Sequence, residues 1–338
     1  MTPLTTPAHT GANRLLFPHN SHRTLLWSEP VTELQGLEAA IAVLGMPFGA
    51  PYSAHGYSDD QSRTPLILRD LSDRFVRHPD HYDFDIDGPL MQGRTDIRFV
   101  DCGDVLPDVL ADRPGAHYAR ATEAMRLILK AGALPIVLGG NHGITTPMLR
   151  AYDDHGPITL IHVDAHIDWR EDVVGVREGL SSPIRRASEM EHVHEIFQLG
   201  LRMQGSGRPE DVEAARKYGA HLITAYEIHD VGMQAILDRI PDGGRYYLSI
   251  DADGVDPTVM PAVAGPAPGG LDFIQMRKLI HGLVRKGRVV GMDIVEITPS
   301  KDTGSMLTCV TAGRFIVNLI GATIRAGYFD RPAGRAAG

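Results

Sequence analysis

ITLIHVDAHID, residues 158–168, is the stretch on which the fold reading turns. It opens as a near-continuous apolar run and closes on Asp164, His166 and Asp168, spaced two apart. A run of this kind, without strict alternation, suits a strand covered by helices on both faces, as in a parallel sheet. Seven more segments share the pattern. IAVLGM (41–46), IRFVDCG (97–103) and LPIVLGG (134–140) come before it. IFQLGLR (196–202), HLITA (221–225), YYLSIDAD (246–253) and VVGMDIVEI (289–297) come after. Helix-period segments lie between the runs. HYARATEAMRLILKAG (117–132) ends on Gly132, and RPEDVEAARKYG (208–219) has Pro209 in its first turn and Gly219 after its last. DVGMQAILDRIP (230–241) and LDFIQMRKLIHGLVRKG (271–287) are punctuated alike. Strands alternating with helices imply βαβ units with right-handed crossovers, hence an α/β layer sandwich or barrel.

The chain has 338 residues. Length alone suggests about two domains, but α/β folds of this size often form one. No repeat or low-complexity linker interrupts 36–326, so one domain is expected over 36–330, with an N-terminal arm over 1–35 and a flexible tail over 331–338. Two cysteines, Cys102 and Cys309, are too few for a disulfide framework and read as reduced thiols. A net charge of −9 leaves no basic surplus for nucleic acid. Pro3, Pro7 and Pro18 break the N-terminus, which has no signal pattern, and no apolar stretch reaches the roughly 18 residues of a membrane helix. The expected protein is soluble and cytoplasmic, with no nucleic-acid or membrane partner.

Ligands of α/β sheets bind at the carboxyl ends of the strands. Three ends are rich in polar groups: GGNHG (139–143) with His142, DAHID (164–168), and DADGVDP (251–257) with Asp251 and Asp253. In extended backbone, residues two apart point to a common side. Imidazole with carboxylate suits Mn²⁺, Ni²⁺, Co²⁺ or Zn²⁺, and the lack of a thiolate argues against structural zinc. The plainer alternative makes each Asp a helix cap or turn residue and each His a structural one. Convergence of Asp164, Asp168, Asp251 and Asp253 would weigh against that alternative. Two unit charges ~4 Å apart repel by about 4 kcal/mol at an effective dielectric near 20, and two divalent cations would cancel four carboxylates. His192 and His194, in EMEHVHEIF (189–197), precede a strand and read as surface residues. No nucleophile elbow, phosphate loop or dinucleotide fingerprint is present.

Together these strings resemble the ureohydrolase (arginase/agmatinase) superfamily. Its Gly-Gly-Asp-His, Asp-Ala-His-x-Asp and Ser-x-Asp-x-Asp-x-x-Asp-Pro signatures stand here as GGNHG, DAHID and SIDADGVDP (249–257). MPFGAPYSAHGYSDDQSRTPLILRD (46–70) and GMDIVEITPSKD (291–302) agree more weakly, so the likeness spans residues 40–326 in order. It implies a three-layer α/β/α sandwich around a parallel eight-stranded sheet, assembled as trimers or hexamers. It also implies two divalent cations per chain, Mn²⁺ first and Ni²⁺ as the alternative. His142, Asp164, Asp168 and Asp251 would hold one ion, and Asp164, His166, Asp251 and Asp253 the other. The implied activity is hydrolysis of a small cationic guanidino substrate by a metal-bridging hydroxide, releasing urea and an amine. Asp168 would pass a proton to the departing amine, and Glu296 would accept the guanidinium in a planar, bidentate pair.

Departures from the signatures bear on the substrate. Asn141 replaces the usual Asp before the ligand His, and VGVREGLSSPIRRASEM (174–190) lacks the family's shuttle histidine, with Leu180 or Ser181 in its place. Trp169 and Arg170 are not what arginases use to hold an α-amino acid. Trp169 could instead form an aromatic lip over a guanidinium, and His55 and Tyr57 could reach the mouth of the site. The expected substrate is therefore agmatine-like, guanidine, or an alkylated guanidine or biguanide such as metformin, rather than arginine. Two alternatives stand beside it: a catalytically silent partner subunit of a hetero-oligomer with a paralogue, and a formimino-group hydrolase.

Overall fold

Side chains of the central strands alternate between two apolar layers, one on each face of a single sheet. In β5, Ile136 and Leu138 join one core and Val137 the other; in β6, Ile161 and Val163 join the first and Leu160 the second. The computed structural model describes residues 16–17, 23–52, 60–107 and 117–330. Among these, the strands are β1 (Leu16–Phe17), β2 (Glu29–Pro30), β3 (Ile41–Met46), β4 (Phe99–Val105), β5 (Leu134–Gly139), β6 (Ile158–Val163), β7 (Val193–Leu201), β8 (His221–Thr224), β9 (Arg245–Asp251) and β10 (Arg288–Val295). Their order is β1-β4-β3-β5-β10-β9-β6-β7-β8, with β2 also paired to β4. The strands from β3 to β10 are the eight expected ones and run parallel throughout. The two-residue strands are additions at the β4 edge, β1 antiparallel and β2 parallel.

The helices are α1 (Thr64–Asp70), α2 (Ser72–Phe75), α3 (Tyr118–Lys130), α4 (Thr145–Arg150), α5 (Pro183–Ala187), α6 (Pro209–Tyr218), α7 (Ala225–Leu237), α8 (Phe273–Lys286) and α9 (Leu307–Arg325). Buried residues of α1, α2, α7, α8 and α9 join one apolar layer, and those of α3 to α6 the other. The result is the expected α/β/α sandwich. Local chemistry explains several ends. Asp272 and Gln275 form a reciprocal capping box at the start of α8, and Gly219 closes α6 at φ +97°. Helix α7 begins five residues before the expected Asp230, because the Thr224 hydroxyl accepts the Glu227 N–H and caps it there.

Two expectations need correction. Residues 23–35 are not a peripheral arm: Leu25 and Leu26 are buried in the core, and their N–H groups donate to Asp101 and Ser72 at 2.9 Å. Helix α9 is long and apolar enough by composition to cross a membrane, although its sequence contains Arg314 and Asn318. Its most apolar window is 83% buried inside the protein, which makes it a core helix. The expected tail at 331–338 lies outside the described residues. Cys102 and Cys309 are both free and buried.

Candidate metal centre

Strands β5, β10, β9 and β6 are consecutive neighbours, so their carboxyl ends bring distant parts of the chain to one place. After β5 the chain makes a short 3-10 turn, His142–Ile144, capped by Asn141, whose side-chain oxygen accepts the Gly143 N–H at 3.1 Å. That turn aims His142 inward. Its Nδ1 lies 3.2 Å from Asp164 Oδ2, 3.2 Å from Asp168 Oδ2 and 3.1 Å from Asp251 Oδ2. Its Nε2 donates to Ser249 Oγ at 3.0 Å, and Ser249 donates to Asp293 Oδ1 at 2.6 Å. Asp293 also accepts from Thr145 Oγ1 and Tyr247 OH, both at 2.9 Å. This buried chain fixes the ring and leaves Nδ1 facing the carboxylates.

His166 stands on the more open side, with Nδ1 3.4 Å from Asp164 Oδ1 and 3.1 Å from Asp253 Oδ2. Thus all six expected ligands, His142, Asp164, His166, Asp168, Asp251 and Asp253, come together. Donor atoms of Asp164, His166 and Asp253 lie within 4.8 Å of one another, as do those of His142, His162, Asp164 and Asp168. His162 was not foreseen. It donates from Nε2 to Asp164 Oδ2 at 2.9 Å, while the Gln198 amide donates to its Nδ1 at 3.1 Å. With both nitrogens engaged, His162 orients Asp164.

The protonation pattern shows competing charges. Burial pushes Asp251 well above the ordinary carboxylate range, and Asp253 and Asp164 push it further. Burial followed by the Asp164 charge likewise raises Asp168 and Asp253. Burial alone would lower His142, but hydrogen bonds to Asp164, Asp168 and Asp251 raise it well above its ordinary value. Hydrogen bonds to Asp164 and Asp253 push His166 up to about 12. Four converging carboxylates hold protons on two imidazoles, and oxygen and nitrogen donors of this kind fit divalent transition-metal cations.

Glu296 follows β10 in a left-handed conformation, φ +63°. Its Oε1 accepts the His142 N–H at 2.7 Å, and its Oε2 accepts Gln61 Nε2 at 3.1 Å. It is 6% exposed, and burial raises its carboxyl to about 7. Gln61 had no signal in the sequence beyond its place in the 46–70 block.

Trp169 is not a lip. Asp168 has φ +47°, and its carbonyl accepts the N–H groups of Ile184 and Arg185. The next side chain turns back into the protein, where Trp169 is 1% exposed and its ring centroid lies 5.7 Å from that of Tyr218. Another aromatic stands near the carboxylates. Tyr52 OH accepts the Ser181 N–H at 2.8 Å, and a Cβ at Gly179 would overlap the Tyr52 ring. Burial raises the Tyr52 phenol, and the charges of Asp168 and Glu296 act in the same direction. His192 bonds to the Leu149 carbonyl at 2.8 Å and lies in no metal cluster among the described residues. His55 and Tyr57 lie outside the described residues.

Comparison with known proteins adds three likenesses and one family. The model of the Arginase family matches residues 39–321. N(1)-aminopropylagmatine ureohydrolase of Thermus thermophilus is 33% identical over 236 residues, covering 69% of this chain and 77% of the relative. Guanidinobutyrase of Pseudomonas aeruginosa is 37% identical over 182 residues, 52% of this chain and 56% of the relative. The agmatine ureohydrolase structure from Thermoplasma volcanium superposes with a TM-score of 0.69 at 26% identity, covering 86% of this chain and 92% of that one.

Proposed function

The chain belongs to the arginase family, and on that premise we propose that it hydrolyses a small cationic guanidino compound to urea and an amine. The carrying observation is His142 Nδ1, buried and within 3.2 Å of three carboxylate oxygens, with Glu296 bonded to the same residue's N–H. His142, Asp164, Asp168 and Asp251 would hold one divalent cation, and Asp164, His166, Asp251 and Asp253 the other. Mn²⁺ is the first choice and Ni²⁺ the second. When bound, such cations supply Lewis acidity that can bring the pKa of water from about 15.7 to about 7.

The chain's own groups supply the rest. Glu296 presents two oxygens, each anchored by one N–H donor and each with a lone pair left for a guanidinium. Water oxygen bonds to the guanidinium carbon, the bond from that carbon to the substituted nitrogen breaks, and Asp168 carries a proton to the departing amine. Residues 174–190 supply no histidine, and Tyr52 stands over that loop with its oxygen accepting the Ser181 N–H. The substrate reading rests on the flanking arginines. Arg170 is committed to Ser206 O and Asp211, and Arg202 to carbonyls of Gly200, Asp253 and Ala267. Neither is left to take a substrate carboxylate, which supports an agmatine-like compound, guanidine, or an alkylated guanidine or biguanide such as metformin over arginine.

The test is metal analysis of the purified chain, followed by product assay of the Mn²⁺- and Ni²⁺-loaded protein on arginine, agmatine, guanidinobutyrate, guanidine and metformin. Urea release from a compound other than arginine is expected. Two bound ions with no turnover would replace the reading with that of a silent partner subunit. Ammonia or formamide from a formimino compound, assayed alongside that panel, would replace it with formimino hydrolysis. Light scattering on the same sample checks the expected trimer or hexamer.

A further inference from the structure

The strands that bring His142, Glu296 and Asp251 to one end of the sheet begin, at the other end, around a cationic cleft. Arg288 opens β10 and Arg245 opens β9, and the two are register partners across the parallel pair. Neighbouring strands lie about 4.8 Å apart, so both side chains leave the sheet together on one face. Among the described residues, neither guanidinium has a carboxylate or carbonyl within hydrogen-bond reach. The Arg288 guanidinium carbon lies 4.8 Å above the Tyr328 ring, and Arg245 Nη1 approaches Gly156.

These arginines line a cavity of about 210 Å³ together with Leu134, Tyr152, His155 and Val290. Tyr152 spends its hydroxyl on the Val290 carbonyl at 2.8 Å and forms an apolar wall. His155 differs, because its Nδ1 is buried and has no hydrogen-bond partner among the described residues. No carboxylate lines the cavity. Two guanidinium groups set side by side, with an unsatisfied ring nitrogen beside them, form a cluster of polar groups that an oxyanion would complete. The space exceeds the ~150 Å³ that admits benzene, enough for a small anion with waters. Guanidinium pairs favour phosphate and carboxylate oxygens.

We propose that this cleft binds a compact oxyanion carrying two negative charges, of the phosphate or dicarboxylate kind. Strand β10 spans eight residues, about 26 Å at ~3.3 Å per residue, so the anion sits far from the carboxylate cluster and is not the substrate.

Calorimetric titration of the metal-loaded full chain with inorganic phosphate and, separately, succinate tests this, with sodium chloride at matched ionic strength as the blank. Saturable binding of one equivalent per chain is expected, and the tighter arm identifies the source. R245Q and R288Q should each weaken binding at least about tenfold, while R216Q, an exposed arginine of α6 outside the cleft, should not. Arg288 is exposed and, among the described residues, its side chain makes no hydrogen bond and only the Tyr328 ring contact, so R288Q should keep a thermal midpoint close to that of the wild type in chloride. R288K would restore part of the affinity. Three results would overturn the proposal: no saturable binding by the wild type, equal weakening in R216Q, or binding untouched by R245Q and R288Q, as expected for anions held at the metals. A changed oligomer mass in R288Q without anion binding would also overturn it and make the cleft a contact between copies.

Discussion

Asp168 couples a left-handed backbone to a buried carboxylate that shares the His142 imidazole with two others. Asn tolerates the same conformation and volume, so Asp168→Asn tests chemistry without disturbing the fold. Urea release by the metal-loaded protein should fall by about 10²-fold or more, and the metal-free protein should keep an unchanged or higher thermal midpoint because one repelling charge is gone. Full activity would remove Asp168 from both roles assigned to it. Glu296 makes a separate prediction for the metal-free protein. Its carboxyl rises on folding from 4.5 to about 7 through burial. The protonated form is thus favoured in the native state, and that stability is full below 4.5 and lost as the pH climbs through about 7. Thermal midpoints measured from about pH 5 to about pH 8 should decline, and Glu296→Gln should flatten the decline. The candidate ligands could be read from the sequence because each follows an apolar run, His142 alone and the others at two-residue spacing. Trp169 could not, since the lip reading rested on its place beside Asp168, and the left-handed turn at Asp168 sends the next side chain into the protein. His162, Gln198, Ser249 and Asp293 escaped for another reason. Each is a polar residue flanked by apolar neighbours inside a strand, and that interruption was the signal available.

Where the β6 and β9 loops meet, backbone touches backbone. A Cβ on Gly254 would lie 2.6 Å from Asp164 N and 2.8 Å from Asp164 Cα. Peptide atoms cannot swing aside as a side chain can, so Gly254→Ala should separate the Asp164 loop from the Asp251–Asp253 loop. The expected cost is about 1–3 kcal/mol of stability, with weaker Mn²⁺ binding by calorimetry. Unaltered binding would show that the loops have slack. Strands and loops also differ in how well their sequences announce them. The eight parallel strands are apolar on both faces and declare themselves, whereas β1 and β2 have two residues each and no periodicity to read. Leu25 and Leu26 looked like part of an arm because nothing local reveals that Asp101 and Ser72 accept their N–H groups.

For the protein as a body, the main electrostatic liability is four aspartates gathered under cover. Cations that bind only the folded chain stabilise it by mass action, by about 2.7 kcal/mol at a hundredfold excess over the dissociation constant. Chelation should therefore lower the thermal midpoint by several degrees, and Mn²⁺ or Ni²⁺ should restore it. A midpoint indifferent to chelator and metal would separate the cluster from metal binding altogether. The order of the sheet has a temporal side as well. β10 comes last along the chain yet lies between β5 and β9, at the middle of the sheet. A ribosome making this protein thus releases every candidate ligand, from His142 to Asp253, before the strand that spaces their loops exists. Contacts so distant in sequence close slowly. The nascent chain consequently has no finished pocket with which to capture a metal, and a product ending upstream of Arg288 would be inert rather than feebly active.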